Sequence, residues 1–166
     1  MMTRPAPYLI RPFEPADAGA FAALNLRWIE QLFAVEEEDR RQLERPQETI
    51  LAKGGAILIA VADGEVVGTG ALIPVSHPGD DARLWAEIVK MATAPHAQNR
   101  GIGAAILDGL IDAAGAMGVD ALWLETNDSL TAATALYERK GFRPLSQTEN
   151  WPTPYSRCNL QMVRAV

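Results

Sequence analysis

The sequence predicts an α+β chain: a mixed, mostly antiparallel sheet with one parallel strand pair, flanked by about four helices. Three features lead there. Two β-rich runs flank Asp63-Gly64 in GGAILIAVADGEVVGTGALIPV, a tight hairpin-turn signal. The strand-like runs LWAEIVKMAT and DALWLET are separated by a helical stretch, so their pairing is a parallel crossover. The chain then closes on two further strand-like runs, FRPLSQ and YSRCNLQMV, as an antiparallel pair around the loop TENWPTP.

In chain order, residues 8–13, YLIRPF, read as a short strand. Pro15 and Asp17 open a helix to about Phe33, with Phe21, Leu24, Trp28 and Leu32 at helical spacing. The acidic run Glu36, Glu37, Glu38, Asp39 suits a helix N-terminus, where the dipole favours negative charge. Glu36–Arg40 and Glu37–Arg41 then stand one turn apart as ion pairs, on a solvated face or on an acidic rim that attracts a cationic ligand. After the hairpin and LWAEIVKMAT comes a helix to about Met117. Its Ile102, Ile106, Leu110 and Ala114 share one face, and Gly118 stops it. Beyond DALWLET, Asp128 or Ser129 caps a helix that ends at Lys140, with Gly141 just past its end. The whole chain, 1–166, reads as one domain with a core over about 8–164.

Composition excludes several classes. Apolar residues make up 48% and charged residues 22%, a globular balance, and the net charge of −6 argues against a nucleic-acid binder and an anionic membrane surface. That charge is compatible with a cationic small molecule or a basic peptide. No apolar run reaches the length of a membrane span, and the start MMTRPAPY carries no signal-peptide core. Cys158 is the single cysteine, which rules out an internal disulfide and suggests a reducing cytoplasm. In a strand-like tail it reads as a small buried thiol rather than a nucleophile. His77 and His96 sit beside Pro78 and Pro95 with no ligand spacing, so no metal is expected.

The stretch QNRGIGAAIL, residues 98–107, is the strongest chemical signal. A glycine inside a helix costs about 1 kcal/mol relative to alanine, yet Gly101 and Gly103 stand where a helix should begin. At a strand-to-helix turn, backbone N–H groups and the helix dipole make an anion site. A dinucleotide fingerprint fits poorly: Ile106 stands where a third glycine is needed, and too little chain follows for a second half, although Glu125 ends the next strand as a ribose-binding acid would. A Walker A loop is absent, because no Gly-Lys-Ser/Thr follows. A plain structural turn is the remaining alternative.

Gln98-Asn99-Arg100-Gly101-Ile102-Gly103 resembles the Q/R-x-x-G-x-G/A loop of the GCN5-related N-acetyltransferases. Asn127, Ala133 and the run Leu136-Tyr137 to Gly141-Phe142 resemble that family's second signature in looser form, at matching spacing and context. The strand order extends the resemblance over essentially the whole chain. The tail, Tyr155-Ser156-Arg157-Cys158-Asn159 with Met162, resembles a bacterial subset with unassigned small-molecule substrates.

The resemblance implies an acetyl-CoA-dependent N-acetyltransferase. Gln98 to Ala104 would wrap the pyrophosphate of coenzyme A, with Arg100 facing a phosphate. The backbone of Met91, Ala92 and Thr93 would pair with the pantetheine arm as an extra strand, Asn127 would hydrogen-bond it, and Ala133 and Tyr137 would complete the cofactor site. The run Trp85-Ala86-Glu87-Ile88-Val89 resembles the F-A-E-I-V stretch of the histone-acetyltransferase branch, whose glutamate is the general base. By alternation Glu87 shares a face with Trp85, Val89 and Met91, and desolvation there raises its pKa; the alternative is a carboxylate paired with Lys90 or Arg83. Tyr137 matches the tyrosine that protonates the leaving sulfur, or is a core aromatic. Lys90 falls on the opposite face, as a structural residue or a counter-charge for a substrate carboxylate. Trp28, Phe33, Trp151 and Tyr155 line the acceptor pocket or simply pack. The expected acceptor is a small amine, with protein amines open. A non-catalytic acyl-CoA sensor and an O-acyltransferase are the other readings. A homodimer is admitted; nucleic acid and membrane are not expected as partners.

Overall fold

The computed structural model describes residues 7–166. Among them, seven strands form one sheet in the order β1-β2-β3-β4-β5-β7-β6. They are β1 (Tyr8–Pro12), β2 (Ala56–Ala62), β3 (Glu65–Val75), β4 (Trp85–Thr93), β5 (Ala121–Thr126), β6 (Arg143–Pro144) and β7 (Leu160–Ala165). Every neighbouring pair is antiparallel except β4–β5, which is parallel, as the crossover predicts. The helices are α1 (Ala18–Leu32), α2 (Glu37–Glu44), the single turn α3 (Pro46–Thr49), α4 (Ile102–Ala116) and α5 (Thr131–Arg139).

The sheet separates two apolar layers. On one face α4 buries Ile102, Ile106, Leu107, Leu110 and Ala114 against Ala86 and Ile88 of β4 and Leu122 and Leu124 of β5. Each such side chain contributes about 1.5–3 kcal/mol when fully buried. On the other face Phe21 and Ile29 of α1 and Leu43 of α2 pack on Ile57, Ile59, Ala71 and Val89. Farther along that face Trp85, Trp123, Trp151 and Val163 form a third cluster.

β4 carries one extra residue, and this irregularity shapes the site. Thr69 stands opposite Ala92 while Ala71 stands opposite Val89, so two residues of β3 span three of β4. Lys90 takes a left-handed φ of +55° there. The Thr69 hydroxyl donates to the Lys90 carbonyl at 2.8 Å and accepts from Asn25 Nδ2 at 3.0 Å, and all three residues are buried. Gly70 faces the bulge; a Cβ there would lie 2.5 Å from Ile106 and 2.7 Å from the Met91 sulfur, so no side chain fits. The bulge reverses the expected alternation. Met91 packs with the α4 layer, away from the face of Glu87, and Lys90 turns toward α2 on the Glu87 side. The pairing of β4 with β5 stops at Ile88–Leu124, and the two strands part beyond it.

Other local expectations shift for physical reasons. The buried stripe of α1 is Phe21, Asn25 and Ile29, whereas Leu32 is 59% exposed; a polar Asn25 at the centre hides this stripe from an apolar pattern. Helix α5 starts at Thr131 with neither Asp128 nor Ser129 as its cap. Those residues form a turn instead, with Asn127 Oδ1 accepting from the Ser129 amide at 2.9 Å and Asn159 Oδ1 from the Asp128 amide at 2.9 Å. The closing pair is short: β6 has two residues and β7 begins only at Leu160, so Tyr155 to Asn159, Cys158 included, form a loop. The predicted pairs Glu36–Arg40 and Glu37–Arg41 do not form among the described residues. Arg41 bonds Glu38 at 2.6 Å, and Glu36 and Asp39 turn inward in a capping box at the start of α2.

Thr69→Val keeps the shape of the side chain but removes both bonds that hold the bulge. It should lower unfolding free energy by about 1–3 kcal/mol in urea denaturation, the cost of buried groups left unpaired. An unchanged midpoint would show that the bulge holds without this chain of bonds.

Candidate active site

Where β4 and β5 part, a cleft of about 390 Å³ opens. The structure brings Glu87, Met91, Ala92, Thr93, Gln98, Asn127, Ala133 and Tyr137 to its walls, with Trp28, Phe33 and Tyr155 on the α1 side. The segment Val89–Thr93 has no strand partner on the cleft edge, which leaves backbone donors and acceptors for an extended ligand.

The glycine turn leads into α4. Gly101 is its N-cap, with φ +77° and no side-chain cap, and Asn99 is also left-handed at φ +62°. Helix geometry leaves the amides of Ile102, Gly103 and Ala104 without intrahelical acceptors, so they suit an anion. The Ile102 side chain lies in the core, so only its backbone serves the turn. Gly103 is informative: a Cβ would lie 3.5 Å from Leu136, an ordinary contact, so packing within the chain does not demand glycine there. The bare position leaves the turn open to a close approach from outside. Asn127, on the cleft wall, donates one amide hydrogen to the Arg157 carbonyl at 2.8 Å, and its oxygen accepts from the Ser129 amide. It pins the loop at the cleft edge.

A second cavity, of about 310 Å³, lies between α2 and the loop that carries Trp151 and Tyr155. Glu87, Glu125 and Tyr155 line both spaces and so stand between them. Glu87 has no ion pair or hydrogen bond among the described residues. Lys90 is taken by Asp39 at 2.9 Å and Arg83 by Asp81 at 2.7 Å. Burial, and then the nearby charge of Glu125, push the Glu87 pKa up to about 8, with Lys90 opposing. Glu125 is raised by burial against the bonds from Thr153 and Gln161. Tyr137 is buried edge-on to Phe142, and burial lifts its hydroxyl to about 12, so it keeps its proton at neutral pH.

Asp39, fully buried, joins the pieces. It accepts from Lys90 and from both terminal nitrogens of Arg157. Burial alone would raise its pKa, but the Arg157 bonds and the Lys90 charge outweigh that and hold it at about 2. Burial lowers the pKa of Lys90, against the attraction of Asp39. The Arg157 guanidinium lies 4.5 Å from the Tyr155 ring centre, and Glu36 accepts from the Ser156 amide and hydroxyl at 3.0 Å. Lys90 is thus a structural cation, the first of its two sequence readings. Asp39, Arg157 and Glu125 were missed as site residues. The E-x-x-D spacing of Glu36 and Asp39 marks a cap but not a buried ion, and Arg157 carries no local signal.

The sequence profile of the Acetyltransferase (GNAT) family matches residues 22–142. The chain belongs to this family. The [ribosomal protein bS18]-alanine N-acetyltransferase of Escherichia coli K12 is 41% identical over 79 residues, 47% of this chain and 51% of that protein. The alignment thus spans about half the length of that curated relative. A GNAT-family acetyltransferase from Staphylococcus aureus Mu50 superposes with a TM-score of 0.84 at 21% identity, covering 96% of this chain and 99% of that one. The protein yncA from Salmonella typhimurium, solved with its cofactor acetyl-CoA, gives 0.71 at 19% identity over 95% and 93% of the two chains. Such identities show a common fold, the mixed α+β fold of the GNAT acetyltransferases. No helix among the described residues is long and apolar enough to cross a membrane, and none of their His, Cys, Asp and Glu side chains cluster as a metal site.

The unpaired state of Glu87 has a measurable cost. Its folded pKa, about 8, lies above the ordinary 4.5, so between those values the folded state keeps a proton that the unfolded state has lost. Stability therefore falls as pH rises through that window. Glu87→Gln does not titrate. Its Tm should match wild type near pH 4.5 and exceed it by at least ~3 °C at pH 8, the shift that about 1 kcal/mol gives in a domain of this size. A difference independent of pH would mean that Glu87 is charged throughout.

Proposed function

We propose that this protein is an acetyl-CoA-dependent N-acetyltransferase that moves an acetyl group to a primary amine by direct transfer in a ternary complex, with a small-molecule acceptor. The observation that carries this reading is Glu87, a half-buried carboxylate with no cation bonded to it, between the cleft and the second cavity. The same reading places the protein in the cytoplasm, on its single cysteine.

Bound in the cleft, acetyl-CoA would supply an acetyl group activated as a thioester. The amides of Ile102, Gly103 and Ala104 would hold its pyrophosphate, with Gln98, Asn99 and Arg100 on the approach to the turn. The backbone of Met91 to Thr93 would pair with the amides of its arm, beside Ala133 and Tyr137. An amine of pKa about 10.4 is free base in only about 1 molecule in 2,500 at pH 7. Glu87 accepts a proton from the ammonium at its carboxylate oxygen, and a pKa near 8 makes that transfer far less uphill than it would be to an ordinary carboxylate. Tyr137 holds its proton at Oη inside the cleft, as the donor for the departing sulfur. A second reading is a protein N-terminus, which the name of the Escherichia coli relative favours. The small cavity walled by Trp123, Trp151 and Tyr155 favours the small amine. An acyl-CoA sensor would leave Glu87 without a task, and an alcohol acceptor brings no charge for it to discharge.

Acetyl-CoA should raise the Tm, whereas NAD and ATP should not. Gly103→Glu should weaken acetyl-CoA binding by at least ~100-fold in calorimetry, about 2.7 kcal/mol, with the fold kept. A folded variant of unchanged affinity would remove the α4 turn as the phosphate site.

Glu87→Gln should lower turnover at pH 7 by roughly 10²-fold, the low end of general-base effects, and leave acetyl-CoA affinity within about twofold. The loss should shrink as pH rises and more amine arrives deprotonated. Tyr137→Phe should reduce turnover at unchanged acetyl-CoA affinity. Parallel pH profiles for wild type and Glu87→Gln would remove the base assignment, and a fully active Tyr137→Phe would return Tyr137 to packing.

A further inference from the structure

The cavity beyond Glu87 joins apolar walls to a group of carboxylates, with the Ser76 and Tyr155 hydroxyls also on its lining. Three carboxylates line it, Glu38, Glu87 and Glu125, and no Lys, Arg or His does so among the described residues. Trp123 and Trp151 stack at 4.5 Å to form one wall, with Tyr155 nearby.

Gln42 adds an independent observation. It lines the same cavity and is only 5% exposed. Its Nε2 donates to Glu38 Oε1 at 3.1 Å, which fixes which end of the amide is oxygen, and Oε1 is left buried with no partner. Glu125 Oε2 is buried and unpartnered as well. Leaving such acceptors unpaired costs about 1–3 kcal/mol each, and the Ser76 and Tyr155 hydroxyls on the same lining bond neither of them. Glu38 takes two bonds from Arg41, at 2.9 and 2.6 Å, but that guanidinium is half exposed on the solvent side.

The acceptors fall into two groups. Glu87 and Glu125 also line the cofactor cleft, whereas Glu38 and Gln42 line only the cavity. A simple amine would satisfy the first group and leave the second unpaired. A ligand with a carboxylate at its far end would meet Glu38. A second ammonium offers three donors and a positive charge, and the tryptophan faces suit the alkyl chain between and the cation itself.

We propose that the acceptor carries a second cationic nitrogen, as α,ω-diamines do, with the reacting nitrogen at Glu87 and Glu125 and the distal ammonium at Glu38 and Gln42 Oε1. This rests on the amine-transfer reading above and narrows it to a substrate class.

The test is thiol release at fixed acetyl-CoA with pentane-1,5-diamine, pentylamine and a short peptide with a free N-terminal alanine. The diamine should exceed pentylamine at least ~10-fold in kcat/KM, about 1.4 kcal/mol. Glu38→Gln, and separately Gln42→Leu, which keeps buried volume, should cut that ratio below ~3-fold, mainly through the KM of the diamine. Melting curves establish that each variant is folded. Equal use of diamine and pentylamine, a preference for the peptide, or a diamine advantage that survives in both variants would overturn the proposal while amine transfer stands. Acetyl-CoA binding without thiol release to any of the three would overturn amine transfer and the diamine class with it.

Discussion

The extra residue at Lys90 is the constraint on which both halves of the site depend. One residue inserted in β4 does three things. It bends the strand away from β5, so parallel pairing ends at Ile88 and the cofactor cleft opens. It sends Met91 into the α4 layer, where the absent side chain of Gly70 makes room for it. It brings Lys90 over to α2, where Asp39 waits. A left-handed lysine is uncommon and costs energy. It is held by the Asn25–Thr69–Lys90 carbonyl chain on one side and by the Lys90–Asp39 pair on the other.

The same buried face then treats its carboxylates in opposite ways. Asp39 has two cations and sits at about 2; Glu87 has none of its own and sits at about 8. Burial raises the pKa of both, but at Asp39 the bonds from Arg157 and the charge of Lys90 overcome it, whereas at Glu87 it prevails. Lys90 is close enough to lower the Glu87 pKa somewhat, but its hydrogen bond goes to Asp39. The Asp39 pair therefore withholds from Glu87 the ion pair that would make it inert, and Glu125 on the neighbouring strand adds repulsion. A buried pair of this kind adds little to stability over an apolar replacement, and its best-attested use is to fix one arrangement. Here it fixes the loop of Tyr155 and Arg157 over the cavity.

What could be read from the sequence is what depends on local chemistry. The Asp63-Gly64 turn, the crossover through α4 and the glycine turn at Gly101 are each set by a few adjacent residues, and they stand where expected. The face of Glu87 followed from alternation up to Val89, and the predictions for Lys90 and Met91 both failed at the bulge. The bulge is specified by Thr69 on the next strand and by Asn25 in a helix 44 positions before that. No window along β4 contains that information. Likewise, no local pattern around Asn127 shows that its amide bonds the Arg157 carbonyl, 30 positions away.

The two sides of the site differ in legibility for the same reason. On the proposed reading the cofactor side is made of backbone: amides at the start of α4, the free edge of β4, and glycines at the turn between them. Backbone geometry leaves a sequence signature because few residues permit it. The acceptor side is made of side chains brought from α2, β4, β5 and the loop before β7, and each reads alone as an ordinary surface acid or core aromatic. Their common feature, a surplus of acceptors with Gln42 Oε1 and Glu125 Oε2 unsatisfied, exists only after folding. The family is therefore written in turns and strand edges, whereas the proposed selectivity for the amine would be written in the charge balance of a cavity.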